Sequence, residues 1–134
     1  MSLKFKTRDV PKAQYSNYLQ RADECLSSAR AACERREWNA SAINSIHAVI
    51  SLADAMCVYF LGKRSASEDH NDSVKLFRSV KADDDTALNA NRISRVLRMK
   101  NMAEYEERLV TQSEADKILQ DAERLAEFVR KRLG

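Results

Sequence analysis

Along most of the chain, apolar residues recur at steps of three and four, the spacing that gathers side chains on one face of an α-helix. Tyr15, Tyr18, Leu19, Ala22, Cys25, Leu26, Ala29 and Cys33 carry the pattern first, after Pro11 at a position where an opening helical turn tolerates proline. They predict a helix over residues 12–36. Ile43, Ile46, Ile50, Ala53 and Cys57 form the stripe of a second helix over 39–61, with Asn39 or Ser41 as its cap and Gly62 as its stop. Other apolar side chains surround much of its circumference, which makes it the central element. Residues 63–71 are polar and break the period. Val74, Leu76, Phe77 and Val80 then predict a short helix over 70–80, starting near Asp69 or Asn71. Asp83, Asp84, Asp85 and Thr86 supply a cap and favourable charge for a helix over 85–106, with Leu88, Ile93, Val96 and Leu97 on one face. Thr111 with Glu114 forms a capping box, and from Ala115 to Leu133 the 3.6 period predicts a last helix over 112–133. No strand is expected.

Two glycines and one proline are too few for the tight turns of all-β or α/β folds. The expected fold is all-α, an up-and-down bundle of four long helices plus one short helix. Residues 11–134 would form this one domain and residues 1–10 a short N-terminal arm, with no internal repeat or linker. Ile43, Ile46, Ile50, Leu97, Leu119, Leu125 and Val129 are the expected core.

A net charge of +3 from 23 cations and 20 carboxylates is too small a bias to announce nucleic acid by itself. Cys25, Cys33 and Cys57 have no CxxC spacing, so neither a disulfide framework nor a zinc site is indicated, and a reduced cytoplasmic setting is expected. His47 and His70 lack local ligand spacing; no metal and no cofactor are expected. The basic N-terminus lacks the apolar run of a secretory signal. Residues 41–61 approach membrane-spanning length but carry Asn44, His47 and Asp54, so they read as a core helix with no membrane role.

The stretch WNASAINSIHAVISLADAMCVYFLGKRSASEDH, Trp38 to His70, together with KNMAEY, Lys100 to Tyr105, resembles bacterial members of the HEPN family (higher eukaryotes and prokaryotes nucleotide-binding). That resemblance implies a five-helix, mostly up-and-down domain, usually dimeric, found in toxin-antitoxin and other conflict systems, with several members acting as metal-independent ribonucleases. It also implies a homodimer here, a nucleotidyltransferase as protein partner and RNA or a nucleotide as ligand. The family's ribonuclease motif is an arginine, a polar residue and, a few residues later, a histidine. The matching positions hold Lys100, Asn101 and Tyr105. Charge and polar neighbour survive, while a phenol with an ordinary pKa near ~10 replaces the imidazole and is a poor base at neutral pH.

Helical spacing gives these residues a meaning of their own. Lys100 and Asn101 interrupt an apolar face, so each needs a hydrogen-bonding partner, across a helix pairing, a dimer seam or a ligand, or else stays in solvent. Arg92, Arg95 and Arg98 sweep an arc of the fourth helix that could follow phosphates or form a salt-bridged outer face. Lys63, Arg64 and His70 could make an anion pocket beside Lys100, against the plainer reading of a capped helix start with an exposed histidine. His47, Ser51 and Asp54 share one line of the second helix, but His47 and Asp54 stand about 10 Å apart along its axis, too far to bond directly. The expected function is a non-catalytic binding or regulatory domain, for nucleotide or RNA, in a toxin-antitoxin or stress setting. One alternative is a divergent ribonuclease in which Lys100 and Arg98 hold phosphorane charge while Asn101 and Tyr105 orient sugar hydroxyl and leaving group. The other is a purely structural interaction subunit.

Overall fold

In the computed structural model, which describes residues 4–134, the period-3.6 segments are helices that pack around one of their number. After a 3-10 turn at Lys12–Gln14, α1 (Tyr15–Glu34) and α2 (Trp38–Leu61) form an antiparallel pair, the most extensive packing in the molecule. The residues between them turn through Arg36, whose φ of 61° is left-handed. Neither Asn39 nor Ser41 caps α2, which starts one residue earlier without a side-chain cap. Asn39 instead accepts the Val110 amide at 3.0 Å and ties down the segment before the last helix. Gly62, with φ 68°, ends α2 in the left-handed conformation that suits glycine there.

α3 (His70–Arg78) starts at Asp69, whose side chain accepts from the Asn71 amide, and α4 (Asp84–Arg98) starts at Asp83, which accepts from Thr86. The helix expected over 85–106 is two helices, because α5 (Lys100–Tyr105) is set off from α4 at Met99. The Met99 amide bonds the Val96 carbonyl, a 3-10 step that tightens the turn. Side-chain phase favours this break. Leu97 and Met102 are both buried, yet five residues would separate them by about 140° on an unbroken helix, so one axis cannot point both inward. α6 (Gln112–Leu133) closes the bundle against α2, α4 and α1.

The expectation of no strand is corrected. β1 (Thr7–Asp9) pairs antiparallel with β2 (Lys63–Ser65), in the register Thr7 to Ser65, Arg8 to Arg64 and Asp9 to Lys63. Flanking bonds from Val10 to the Gly62 carbonyl and from Ala66 to the Lys6 carbonyl extend the ladder. Part of the N-terminal arm, residues 1–3, lies outside the described residues, while Phe5 packs against the core. Among the described residues this small ribbon is the only sheet beside the helices, and the fold is all-α.

The core lies along α2. Ile46, Leu97, Leu119, Leu125 and Val129 are buried as expected, but Ile43 and Ile50 are only half-buried. Ala42, Ile46, Val49, Leu52, Ala53 and Met56 make the buried face instead. Because α2 is apolar nearly all round, large aliphatics alone do not reveal which side its neighbours cover; the small side chains Ala42, Ala48 and Ala55 permit close approach there. α2 has the length and apolar composition of a membrane-crossing helix, and in this fold it packs against α1, α3, α4, α5 and α6.

The capping box of α6 is fully formed: Thr111 accepts the Glu114 amide and Glu114 accepts the Thr111 amide. Arg108 adds a two-pronged contact to the same carboxylate at 2.8 and 2.9 Å. Arg108 first, and then the Thr111 backbone bond, hold the Glu114 carboxyl down at about 2. Its stabilising contribution is therefore complete above the usual carboxylate pKa and is lost as pH falls from there toward 2. Thr111→Ala should cost about 1 kcal/mol in urea unfolding, and an unchanged midpoint would show the cap to be idle.

Candidate functional site

The short α5 crosses α2 so that one carboxylate collects two cationic or cationisable groups. Glu104 accepts from the Lys100 ammonium at 2.8 Å through Oε2, and its Oε1 lies 3.2 Å from His47 Nε2 on α2. Lys100 and Glu104 are four apart, the spacing that stacks them on one helical face. The Glu104 side chain is 14% exposed and that of His47 52%, so the carboxylate is enclosed while the imidazole reaches solvent. Burial raises the Glu104 pKa, but hydrogen bonds from Lys100 and His47 outweigh it and leave the carboxyl below its ordinary value. Glu104 in turn raises the Lys100 pKa. The result is a carboxylate held between the Lys100 ammonium and the His47 ring.

With Nε2 turned to Glu104, the remaining ring nitrogen, Nδ1, is the one left for another partner. Beside His47 is a shallow depression of about 310 Å³ lined by Arg21, Glu24 and Cys25 of α1 and Ile50 and Ser51 of α2. Tyr105 is 72% exposed, and its ring centroid is 5.6 Å from the Lys100 ammonium. Asn101 is exposed. The break at Met99 thus removes the premise that Lys100 and Asn101 interrupt a buried face: Lys100 is satisfied within its own helix and Asn101 by solvent.

Other sequence-predicted groupings come apart. Asp54 does not approach His47; it feels Arg64 and Arg21, and burial, against both of these cations, pushes its carboxyl up to about 6. Lys63, Arg64 and His70 do not form a pocket beside Lys100. Gly62 follows His47 by fifteen residues, about 22 Å along the axis of α2, so β2 lies at the far end of the helix. There Lys63 and Arg64 are in the ribbon, and His70 opens α3. Arg92, largely buried, and Arg95, exposed at the rim, both approach the buried Asp121 of α6, at 4.0 and 3.3 Å, and Arg92 also donates to Asn89 at 2.9 Å. Their role is helix pairing. Arg98 keeps only a 3.5 Å contact with Ser94 and lines a groove of about 300 Å³ between α4 and α6, which Lys100 does not line. The pairing of Arg98 with Lys100 on one phosphate is therefore not built into this arrangement.

Sequence reasoning missed the bond from His47 to Glu104 because it sought a carboxylate on the histidine's own helix. The available signal was the four-residue step from Lys100 to Glu104, which puts an acid on the same face as the motif cation. Among the described residues, no group of three or more His, Cys, Asp or Glu side chains could hold a metal ion. Burial pushes the Cys57 thiol far up, which keeps it protonated and inert.

A family model described as HEPN domain matches residues 15–132, nearly the whole helical part of the chain. No curated protein matches the sequence.

Proposed function

The chain belongs to the HEPN domain family, whose function is nucleotide- or RNA-related, and from that premise we propose that it is a cytoplasmic binding or regulatory domain without efficient catalysis of its own. The observation that carries this reading is the pairing of Lys100 with Glu104 at 2.8 Å. The cation at the motif position already has a carboxylate partner, and the residue at the histidine position is a phenol. A phosphate arriving at Lys100 must compete with Glu104, which suits reversible recognition better than rigid stabilisation of a phosphorane. The proposed setting is a toxin-antitoxin or stress system, with a nucleotidyltransferase as the natural partner and a homodimer as the working form. Light scattering at tens of micromolar should then give twice the 15.3 kDa chain mass; the monomer mass would remove the dimer from the reading.

One observation favours a second reading, a divergent ribonuclease. His47 restores an imidazole to the site, oriented by Glu104 and with Nδ1 available to take a proton from a sugar hydroxyl. Incubation with mixed RNA separates the two. The expected result is cleavage no faster than that of Lys100→Ala or His47→Ala. Rapid cleavage that disappears in His47→Ala but survives in Tyr105→Phe would establish the enzyme and overturn the binding reading. General acid–base help is worth about 10² to 10⁴ in rate, so the outcomes are well separated.

A further inference from the structure

Two segments that meet at one end of the bundle are strongly basic, and the carboxylates Glu68, Asp69 and Asp72 follow the second of them at the start of α3. Residues 4–15 and 59–65 hold six cations, Lys4, Lys6, Arg8, Lys12, Lys63 and Arg64, against the single carboxylate Asp9, whereas the whole chain holds 23 cations against 20 carboxylates. Everything outside these two segments is net acidic. The ribbon brings the segments together, with the Val10 amide bonded to the Gly62 carbonyl at 2.9 Å. Its register sets Arg8 directly opposite Arg64. Like charges at facing positions of an antiparallel pair repel, and an anion lying across them relieves the repulsion. Among the described residues, Lys6, Arg8, Lys12, Lys63 and Arg64 make no salt bridge. Arg64 has Asp54 in its vicinity, Lys63 stands opposite Asp9 in the ribbon, and Lys6, Arg8 and Lys12 are exposed.

Aromatic surface adjoins these cations. The Tyr59 ring meets Tyr15 and Phe60 edge-on, each with centroids 4.9 Å apart, and the Lys12 ammonium stands 4.3 Å over it. Tyr59 is thereby committed. Phe60 is 45% exposed, a large apolar ring three residues before the second strand of the basic ribbon. A ligand that satisfies both halves carries closely spaced negative charges and flat unpaired rings.

We propose that this end of the bundle binds single-stranded nucleic acid, with phosphates along Lys6, Arg8 and Arg64, which share one face of the ribbon, and a base stacked on Phe60. Successive bases on an aromatic platform beside a basic track are the usual means of sequence-tolerant single-strand binding. A duplex would present phosphates but hide its base faces, leaving Phe60 unused. The surface stands about 22 Å along α2 from His47, so it extends the nucleic-acid-related function to a second place and does not depend on how the Lys100 site works.

Fluorescence anisotropy with a short labelled oligouridine tests this. Arg8→Glu is expected to weaken binding at least about ten-fold, and Phe60→Ala about ten-fold, the loss of one stacked base. Arg124→Glu, the same charge change at an exposed position in the middle of α6, should bind like the parent. For three phosphate contacts, the logarithm of affinity should fall with that of salt at a slope of roughly −2. Arg8 and Phe60 are exposed, so circular dichroism should show both variants folded. Absence of binding overturns the proposal. So does loss in Arg8→Glu with none in Phe60→Ala, which would mean adsorption of any polyanion. Preference for phosphatidylserine-containing vesicles over oligouridine, lost in both variants, would overturn it in favour of a membrane surface.

Discussion

Replacing Leu52 by alanine should destabilise the fold by about 2–5 kcal/mol, the cost of removing a buried aliphatic side chain that the surroundings cannot fully collapse to fill. Leu52 is 0% exposed and lies midway along the helix that every other helix touches. Ile50 is the internal control. Two residues apart means about 200° around the axis, so Leu52 and Ile50 point to nearly opposite sides of α2. Ile50 borders the depression beside His47 and is half-buried. Ile50→Ala should therefore cost about 1 kcal/mol, scaled to the apolar area it removes from contact. In urea unfolding, Leu52→Ala should move the midpoint much further than Ile50→Ala at an unchanged slope. The reverse order would mean that α2 is rotated by half a turn from the arrangement described. Against a total stability of 5–15 kcal/mol for a typical domain, the Leu52 loss is a large share, and a second core truncation on top of it would be expected to unfold the protein.

That contrast also shows where sequence reading stopped. Three helix starts were legible because capping is local: Asp69, Asp83 and the Thr111–Glu114 box each need only residues within three positions, whereas α2 starts without the Asn39 or Ser41 cap expected of it. The rotation of α2 was not legible, since an element apolar on nearly every side has no period to read, and alanines that admit a neighbour look like alanines that do not. The ribbon escaped for a different reason. Its strands are three residues long, largely charged and without alternation, and each is extended only because the other is there to pair with it. The break at Met99 left a trace in the five-residue step from Leu97 to Met102, masked by polar residues that continue a helical pattern through it. At the site, Lys100 and Tyr105 were found through resemblance to a motif. The His47–Glu104 bond joins positions 57 residues apart on different helices and becomes visible only once α5 is laid across α2.

Asp54→Asn should stabilise the protein at neutral pH and remove a pH dependence that the parent carries. Asp54 is half-buried on α2, and burial raises its pKa to about 6 even though Arg64 and Arg21 pull the other way. An unfolded aspartate titrates near ~3.9. The folded state therefore holds the proton more tightly, so this group's contribution to stability is most favourable below the unfolded value and is lost as pH rises through about 6. A shift of this size, already net of the attraction to Arg21 and Arg64, corresponds to an expected gain on the order of 1–3 kcal/mol at pH 7. Urea unfolding near pH 4 and at pH 7 isolates the effect. Asp83 and Glu114, whose carboxyls are held down at about 2, lose their contributions as pH falls, but they do so in parent and variant alike and cancel in the difference. The variant should match or fall slightly below the parent near pH 4 and exceed it at pH 7. Equal stability at pH 7 would mean that the two arginines offset the desolvation of Asp54 in full. A less stable variant there would make Asp54 a structural ion-pair partner that holds β2 and α1 to the end of α2.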